Sequence, residues 1–433
     1  MSQSAAPAPA PAPARGATPP AARASQPGGA LPGSQPGIKP IVDTPRLLNR
    51  WQLIGMTVAI VFGVLSALVQ FLSWQSDGRA ADDTEQLVRV QEIQSSLLRA
   101  DALATNAFLV GGLEDTDQRE EYDATIGSVF IAIAEAAEAQ PADRDALAAL
   151  NVEVSGYANE VEAARVYNRQ EYPVGAEYLS GASEGLRDNA LPILGNLADA
   201  NSERAENAID GQHPFWLLVL GVAAIAGLWW VNHQLAQAFR RRINTGVAIA
   251  AAIVLLATLV SAAAALRAAG QNDGLLDDEL SSAVDQAAAR TAANDAKANE
   301  SLRLIKRGSG ELYEEPWRAS AAVVEELADP STLDAWSDYV QRHSAIVDLD
   351  AEDRWAPART IAISDGNQGS TAPFEAFDAE SATLVDEMAT ETTDSLRAGR
   401  SLALAGSALT LLLGIVAAVA VARGIGARRR EYA

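Results

Sequence analysis

The sequence predicts an all-α membrane protein: four transmembrane helices and two extracytoplasmic four-helix-bundle domains in tandem, the second a pseudo-duplicate of the first. Three observations lead there. Four uncharged apolar runs each approach the roughly 20 residues a helix needs to cross the hydrocarbon core. The rest of the chain is strongly acidic, and its two halves repeat one plan. Over 433 residues the formal net charge is −23, from 33 Lys and Arg against 56 Asp and Glu. Yet mean hydropathy is +0.01. The two figures conflict in a single soluble globule, so the apolar residues must be concentrated. A chain this acidic lacks the basic face that nucleic-acid binding needs. It has no Cys and three His, which removes disulfides, Cys-based zinc sites and cysteine nucleophiles.

Residues 1–50 form a Pro/Ala-rich tail, with Ala-Pro alternation from Ala6 and Pro-Gly pairs at Pro27 and Pro36. Such a segment has little to bury and favours extended polyproline conformers. It lacks the apolar core and small-residue cleavage pattern of a signal peptide. Two readings stand: a disordered tail, or a docking arm for a cytoplasmic partner.

The crossings are placed at 51–73, 214–231, 247–266 and 400–422. Their apolar runs, 53–72, 215–231, 247–266 and 402–422, contain no Asp, Glu, Lys or Arg. Trp51, Trp74, Trp216, Trp229 and Trp230 sit at or near the ends, where indoles favour the interface. Gly63, Ser66 and Ala67, like Gly406 and Ser407, are small enough to let helices approach closely. With no ionisable residue in any of these apolar runs, a proton relay or ion-coupled transporter is disfavoured.

Charge sets the topology. Residues 1–52 hold five basic residues against one acidic; loop 232–246 holds Arg240, Arg241 and Arg242; tail 423–433 holds four Arg against one Glu. The positive-inside rule makes these three segments cytoplasmic. Segment 74–213 has 9 basic against 27 acidic residues, and segment 267–399 has 11 against 27. Both are placed outside. The expected location is thus the plasma membrane, multi-pass, with both termini cytoplasmic.

Each outer segment reads as four helices. In the first, Leu87, Val90, Ile93, Leu97 and Leu98 recur at helical spacing over 81–110, before Gly111-Gly112. Helices at 122–139 and 143–168 follow. A fourth starts near Tyr178 or Leu186 and runs to 209 and on into the second crossing, with Pro192 able to kink it. In the second, helices are expected at 275–305, 317–327 and 332–349. A Gly/Ser/Asn-rich loop at 364–371 then precedes a helix from 374 into the last crossing. No alternation of β-branched residues suggests strands. The halves also align locally: Thr105-Asn106 with Ala298-Asn299, Tyr157 with Tyr339, Tyr172-Pro173 with Trp355-Ala356-Pro357, and Arg240–Arg242 with Arg428, Arg429 and Arg430. In order, these suggest a duplicated two-pass unit. Chance likeness of two Ala-rich hairpins is the alternative.

Chemistry is sparser. No GxxxxGK, HExxH or GxSxG motif occurs, and the three His lie in different segments. No cofactor, metal site or enzymatic activity is expected. Carboxylate pairs such as Asp82-Asp83, Asp277-Asp278 and Glu314-Glu315 read as solvated helix faces. One constellation stands out. Tyr157, Arg165, Tyr167, Arg169 and Tyr172 crowd one stretch; Tyr339, Arg342, His343, Arg354, Trp355 and Arg359 answer them. Arg among aromatics suits a carboxylate clamp or a protein interface, or plain packing at a bundle end. The cytoplasmic side has no room for a kinase or cyclase, so any output must be a separate protein. Its basic clusters, Arg240–Arg242 and Arg428–Arg430, enforce topology or contact anionic lipid.

Bacterial four-helix-bundle sensors, such as those of chemoreceptors, place one outer bundle between two crossings and work as homodimers. This chain looks like two such units fused. With its Ala/Pro-rich tail, the inner loop LAQAFRRRIN and the ending GIGARRREYA, it resembles the GlnX-type proteins of actinobacteria. That resemblance implies a solute-binding lipoprotein partner outside and a Ser/Thr protein kinase partner inside. It implies signalling of external amino acids such as aspartate and glutamate. Two other readings remain: a direct sensor that binds an amino acid through Arg165 or Arg359, and a non-sensing envelope scaffold.

Overall fold

A computed structural model describes residues 44–111, 116–170, 172–209, 214–239 and 243–431. The described residues are helical almost throughout, with no strand among them. The tail to residue 43 and Arg240–Arg242 lie outside them.

The first helix, α1 (Thr44–Val110), runs 67 residues, about 100 Å at 1.5 Å per residue. Its first part carries the apolar run and its second the amphipathic stripe, so one rod serves two solvents. Gly111 stops it at φ +73°, a left-handed conformation open to glycine. Helices α2 (Thr116–Ala139) and α3 (Arg144–Asn168) follow, separated by a short turn at Pro141–Asp143. Then α4 (Val174–Gly185) runs through a π-helical turn, Leu186–Ala190, into α5 (Leu191–Ile209). Pro192 has no N–H for the carbonyl one turn back, and the wide turn just before it absorbs the lost bond. This helix starts earlier than expected. Gly175 brings it against α3, where a Cβ would lie 3.0 Å from the Ala164 carbonyl. Its continuation at 210–213 is outside the described residues, and α6 begins at Pro214 (Pro214–Phe239).

In the second half, α7 (Thr245–Gly274) passes through a second π-helical stretch, Leu275–Leu280, into α8 (Ser281–Ile305). Gly308, at φ +83°, turns the chain beyond it. Helices α9 (Glu314–Leu327) and α10 (Leu333–Ala351) come next. A short helix, α11 (Trp355–Ile363), was not expected from the sequence. Its Pro357 sits in the first turn, where a missing N–H costs nothing. Finally α12 (Thr371–Glu431) runs 61 residues from the second large segment through the last apolar run.

Helices α1, α6, α7 and α12 each contain a window long and apolar enough to cross a membrane, with mean hydropathy of 1.9 to 2.5. They share a buried core that includes Phe62, Leu228, Val254 and Val421. Large apolar residues such as Leu68, Trp229, Leu256 and Leu412 face outward, as a lipid-facing surface requires. Glycines set the closest approaches. A Cβ on Gly63 would fall 2.9 Å from the Gly414 Cα, and one on Gly246 2.5 Å from the Gly424 Cα. Two polar contacts join the same helix pair: Gln70 Nε2 donates to Thr410 Oγ1 at 2.9 Å, and Ser407 Oγ to the Ala67 carbonyl at 2.9 Å.

The two large segments between the apolar helices have different cores. The first is aliphatic, with Leu97, Val129, Leu150 and Leu194 contributed by α1, α2, α3 and α5. In the second, α8 offers only Ala289, Ala293 and Ala296. Trp317, Trp336, Tyr339, Phe374 and Phe377 from α9, α10 and α12 fill the space those alanines leave. Small faces large, which keeps the interior at native density. The two segments also meet: Leu109 of α1 packs with Leu304, Ile346 and Ala358 of the second half.

Candidate functional site

Side chains take up the last carbonyls of α1 and α8, which have no partners within their own helices. Asn168 Nδ2 donates to the Phe108 carbonyl at 3.2 Å, and Arg359 Nη2 donates to the Val110 carbonyl. Trp355 Nε1 donates to the Leu304 carbonyl at 2.8 Å. The Arg307 guanidinium lies 3.4 Å from the Trp355 ring centroid and that of Arg359 5.5 Å from it. Because Arg359 belongs to the second segment and Val110 to the first, this corner joins the two. It stands about 55 Å along α1 from the end of the first apolar run.

Beside it lies an aromatic surface. Tyr167 stacks on Tyr178, centroids 5.3 Å apart, and Tyr172 lies 6.5 Å from Tyr167. Tyr172 is 55% exposed, and Val174 and Tyr178 are exposed beside it. Arg169 is exposed at the rim, 3.8 Å from Glu162. Lys306 of the second half reaches Glu177 at 2.7 Å, and Leu312 is exposed in the turn just beyond it.

The rest of the expected constellation is placed elsewhere. Tyr157 is buried in the first core, where its hydroxyl donates to Asp101 at 3.3 Å. Burial and the Asp101 carboxylate push that phenol well above its ordinary range. Arg165 is also buried, 4.1 Å over the Tyr122 ring and 3.8 Å from Asp123. Tyr339 lies in the second core, accepting from Trp317 Nε1 at 3.2 Å. Arg342 donates to the Asn367 carbonyl at 3.2 Å, pinning the loop before α12. At the far end of α12, Arg428–Arg430 continue the helix, and Arg430 is exposed.

Apart from His343, the polar groups that organise the interior were not in the expected constellation. Asp101 is fully buried. It accepts from Ser183 Oγ at 2.6 Å and Arg187 Nη1 at 3.0 Å. Arg187 Nε also donates to Asp295 of α8 at 2.8 Å, and Asp295 accepts from Ser320 at 2.6 Å. Further along α8, Lys297 Nζ donates to Glu300, Ser370 Oγ and the Ala362 carbonyl at 2.7, 2.8 and 3.0 Å. His343 presents Nδ1 to Glu300 at 3.0 Å and Nε2 to Glu314 at 3.5 Å, and its ring stacks on Trp317 at 3.6 Å. A signal for these groups exists in the sequence. Asp101 falls four residues after Leu97 on the apolar stripe, and Lys297 and Glu300 interrupt the alanine stripe of α8.

Two carboxylate pairs need correction. Asp82 and Glu315 are exposed, but Asp83 is 8% exposed and accepts from Gln140 at 2.8 Å, and Glu314 accepts from Arg303 at 3.1 Å. A cation or amide within reach draws one acid of each pair inward, Asp83 in the first and Glu314 in the second. The side chains of Asp277 and Asp278 are outside the described residues. Among the described residues, no group of three His, Cys, Asp or Glu side chains is arranged to hold a metal ion.

Residues 76–210 match the family model of the actinobacterial sensor domain. The match covers most of the first outer segment. With the four apolar helices it supports an actinobacterial sensor membrane protein. No curated protein and no solved structure matches the chain.

Proposed function

We propose that the chain is a GlnX-type transmembrane signal transducer. It passes the availability of aspartate- or glutamate-type amino acids, sensed through an external solute-binding lipoprotein, to a cytoplasmic Ser/Thr protein kinase. Both termini and the Arg240–Arg242 loop lie inside, and both acidic segments outside. It works by binding, without catalysis or a cofactor. The observation that carries this reading is the continuity of α1 and α12. Each runs unbroken from the outer segment through an apolar span. A tilt or shift of these rods outside must appear inside, where Arg430 and its neighbours face the kinase and membrane lipid. The sensor-domain match supports a sensing role. Tyr172, Tyr178 and Leu312 give the lipoprotein an exposed apolar and aromatic surface of the kind that anchors protein partners.

Direct amino-acid sensing through Arg165 or Arg359 is less well supported. Arg165 is buried over Tyr122, and Arg359 caps α1. Cross-linking in native membranes, followed by capture of the full chain, tests the proposal. Recovery of a solute-binding lipoprotein and a Ser/Thr kinase is expected. Recovery of neither, from membranes that contain both, overturns it in favour of a scaffold.

A further inference from the structure

At the corner where α1 and α8 end, the cations are unevenly paired. Lys306 reaches Glu177 at 2.7 Å, Arg169 lies 3.8 Å from Glu162, and Arg354 lies 3.2 Å from Glu352. Among the described residues, no Asp or Glu pairs with Arg307 or Arg359. Both guanidinium groups sit instead on one indole, that of Trp355, at 3.4 and 5.5 Å from its ring centroid. Arg359 donates through Nη2 to the Val110 carbonyl, which carries no formal charge, and its Nε is buried without a partner. Arg307 is exposed and open to approach. The chain has 56 acidic residues against 33 basic ones, so shortage of acids does not explain the gap. Two like charges held on one ring without a counter-ion gain from an anion brought to them.

The neighbouring surface says what carries that anion. Tyr172, Val174 and Tyr178 are exposed beside this corner, and Leu312, in the turn after Arg307, is 74% exposed. Aromatic and apolar side chains next to arginine have the composition of an interface centre. They stand out from the surface, a form that fits the face of another protein better than a small free anion.

We infer that this corner takes the acidic face of a protein partner. An Asp or Glu of the partner sits on Arg307 and Arg359, and its apolar residues cover Tyr172, Tyr178 and Leu312. The two large segments carry 27 acidic residues each, against 9 and 11 basic ones, so the rest of their surface repels such a partner and the corner sets its register. The inference rests on the reading that a protein docks here and adds the charge of its docking face.

The test places p-benzoylphenylalanine at position 172 of the full chain in native membranes, irradiates it, and maps the adduct by mass spectrometry. An adduct is expected on a partner segment that holds an Asp or Glu. Arg307→Glu is expected to lower its yield about tenfold or more, and Arg307→Lys to keep most of it. Because Arg307 is exposed, neither change is expected to move the melting temperature. Changing the mapped acid to Arg is expected to restore the yield with Arg307→Glu. A yield that Arg307→Glu leaves unchanged, a mapped segment without an acid, or a failure of every such charge swap overturns the inference while docking stands. No adduct overturns both. An acidic segment from a protein other than a solute-binding lipoprotein supports the inference and overturns the lipoprotein reading.

Discussion

Arg187 and Asp295 lie 108 residues apart in the chain and meet at 2.8 Å, across the boundary between the two outer segments. The same guanidinium neutralises Asp101, which is wholly buried in the first. Removing the arginine leaves a buried carboxylate without a cation. Arg187→Leu is expected to destabilise the chain by about 3–5 kcal/mol, in the range for breaking a buried ion pair. Denaturant unfolding in detergent measures it. Adding Asp101→Asn to Arg187→Leu removes the orphaned charge and is expected to recover part of the loss. No recovery means the cost lies in packing.

The His343 cluster gives stability a pH dependence. Burial pulls the imidazole down, but hydrogen bonds to Glu300 and Glu314 outweigh it, so His343 titrates above its ordinary value. Burial pushes the Glu300 carboxyl up, but Lys297 and His343 outweigh it and hold it down, at about 2. A raised histidine stabilises fully below its unfolded value of roughly 6.5 and loses that contribution as pH rises through its folded value. A lowered carboxylate stabilises fully above its unfolded value of roughly 4.3 and loses that contribution as pH falls toward 2. This cluster therefore favours the folded state most between roughly pH 4.5 and 6.5. Melting curves from pH 5 to 9 are expected to show Tm falling on the alkaline side, and His343→Gln to flatten that fall. An equal fall in the variant assigns it to other groups.

Helix contacts in the apolar core depend on missing side chains. On Gly246 a Cβ would sit 2.4 Å from the Ala420 carbonyl, too close for any side chain. Gly246→Val must push α7 from α12 and is expected to cost about 1–3 kcal/mol. Gly426, with nothing within 4 Å of its Cβ position, is the control. A lower melting temperature for Gly246→Val, with Gly426→Ala unchanged, is the expected pair of results. Equal melting points mean that the approach is not tight.

Tyr172 tests the docking surface separately from folding. It is exposed and contributes to no core, so Tyr172→Ser is expected to change stability by less than about 0.5 kcal/mol. On the proposal that a lipoprotein docks at this corner, loss of the aromatic ring is expected to weaken capture about 5- to 30-fold. Surface plasmon resonance with the captured lipoprotein reads this directly. Unchanged affinity excludes this corner as the docking face.

Period and charge made the architecture legible. Uncharged apolar runs marked the candidate crossings, and glycines at 111 and 308 marked the ends of α1 and α8. Helix α11 was missed because its start, Trp355-Ala356-Pro357, reads as a turn, and its nine residues are too few for a periodic signal. The site was less legible. Of the Arg and aromatic constellation, the fold places Tyr157, Arg165 and Tyr339 inside the cores, brings Tyr167 and Tyr172 together at a surface with Arg169 at its rim, and sets Arg359 against Trp355. Asp101 and Asp295 were lost among 56 acids, since nothing in composition separates a buried carboxylate from a solvated one. Only its place on an apolar stripe does so, and its cation, Arg187, comes from a distant helix.

The contacts between α1 and α12 have a consequence for how the chain is made. Gln70 meets Thr410, and Ala67 meets Ser407, each pair 340 residues apart. At about 5–20 residues per second, the first helix is synthesised roughly 20 to 70 s before its partner exists. During that interval α6 can meet α1 through Gly227 and Val58, but Gly63 lacks the Gly414 backbone it packs against. Assembly must therefore close from the end of the chain back to its beginning. A truncation that removes α12 leaves α1 without the helix against which its Gly63 packs.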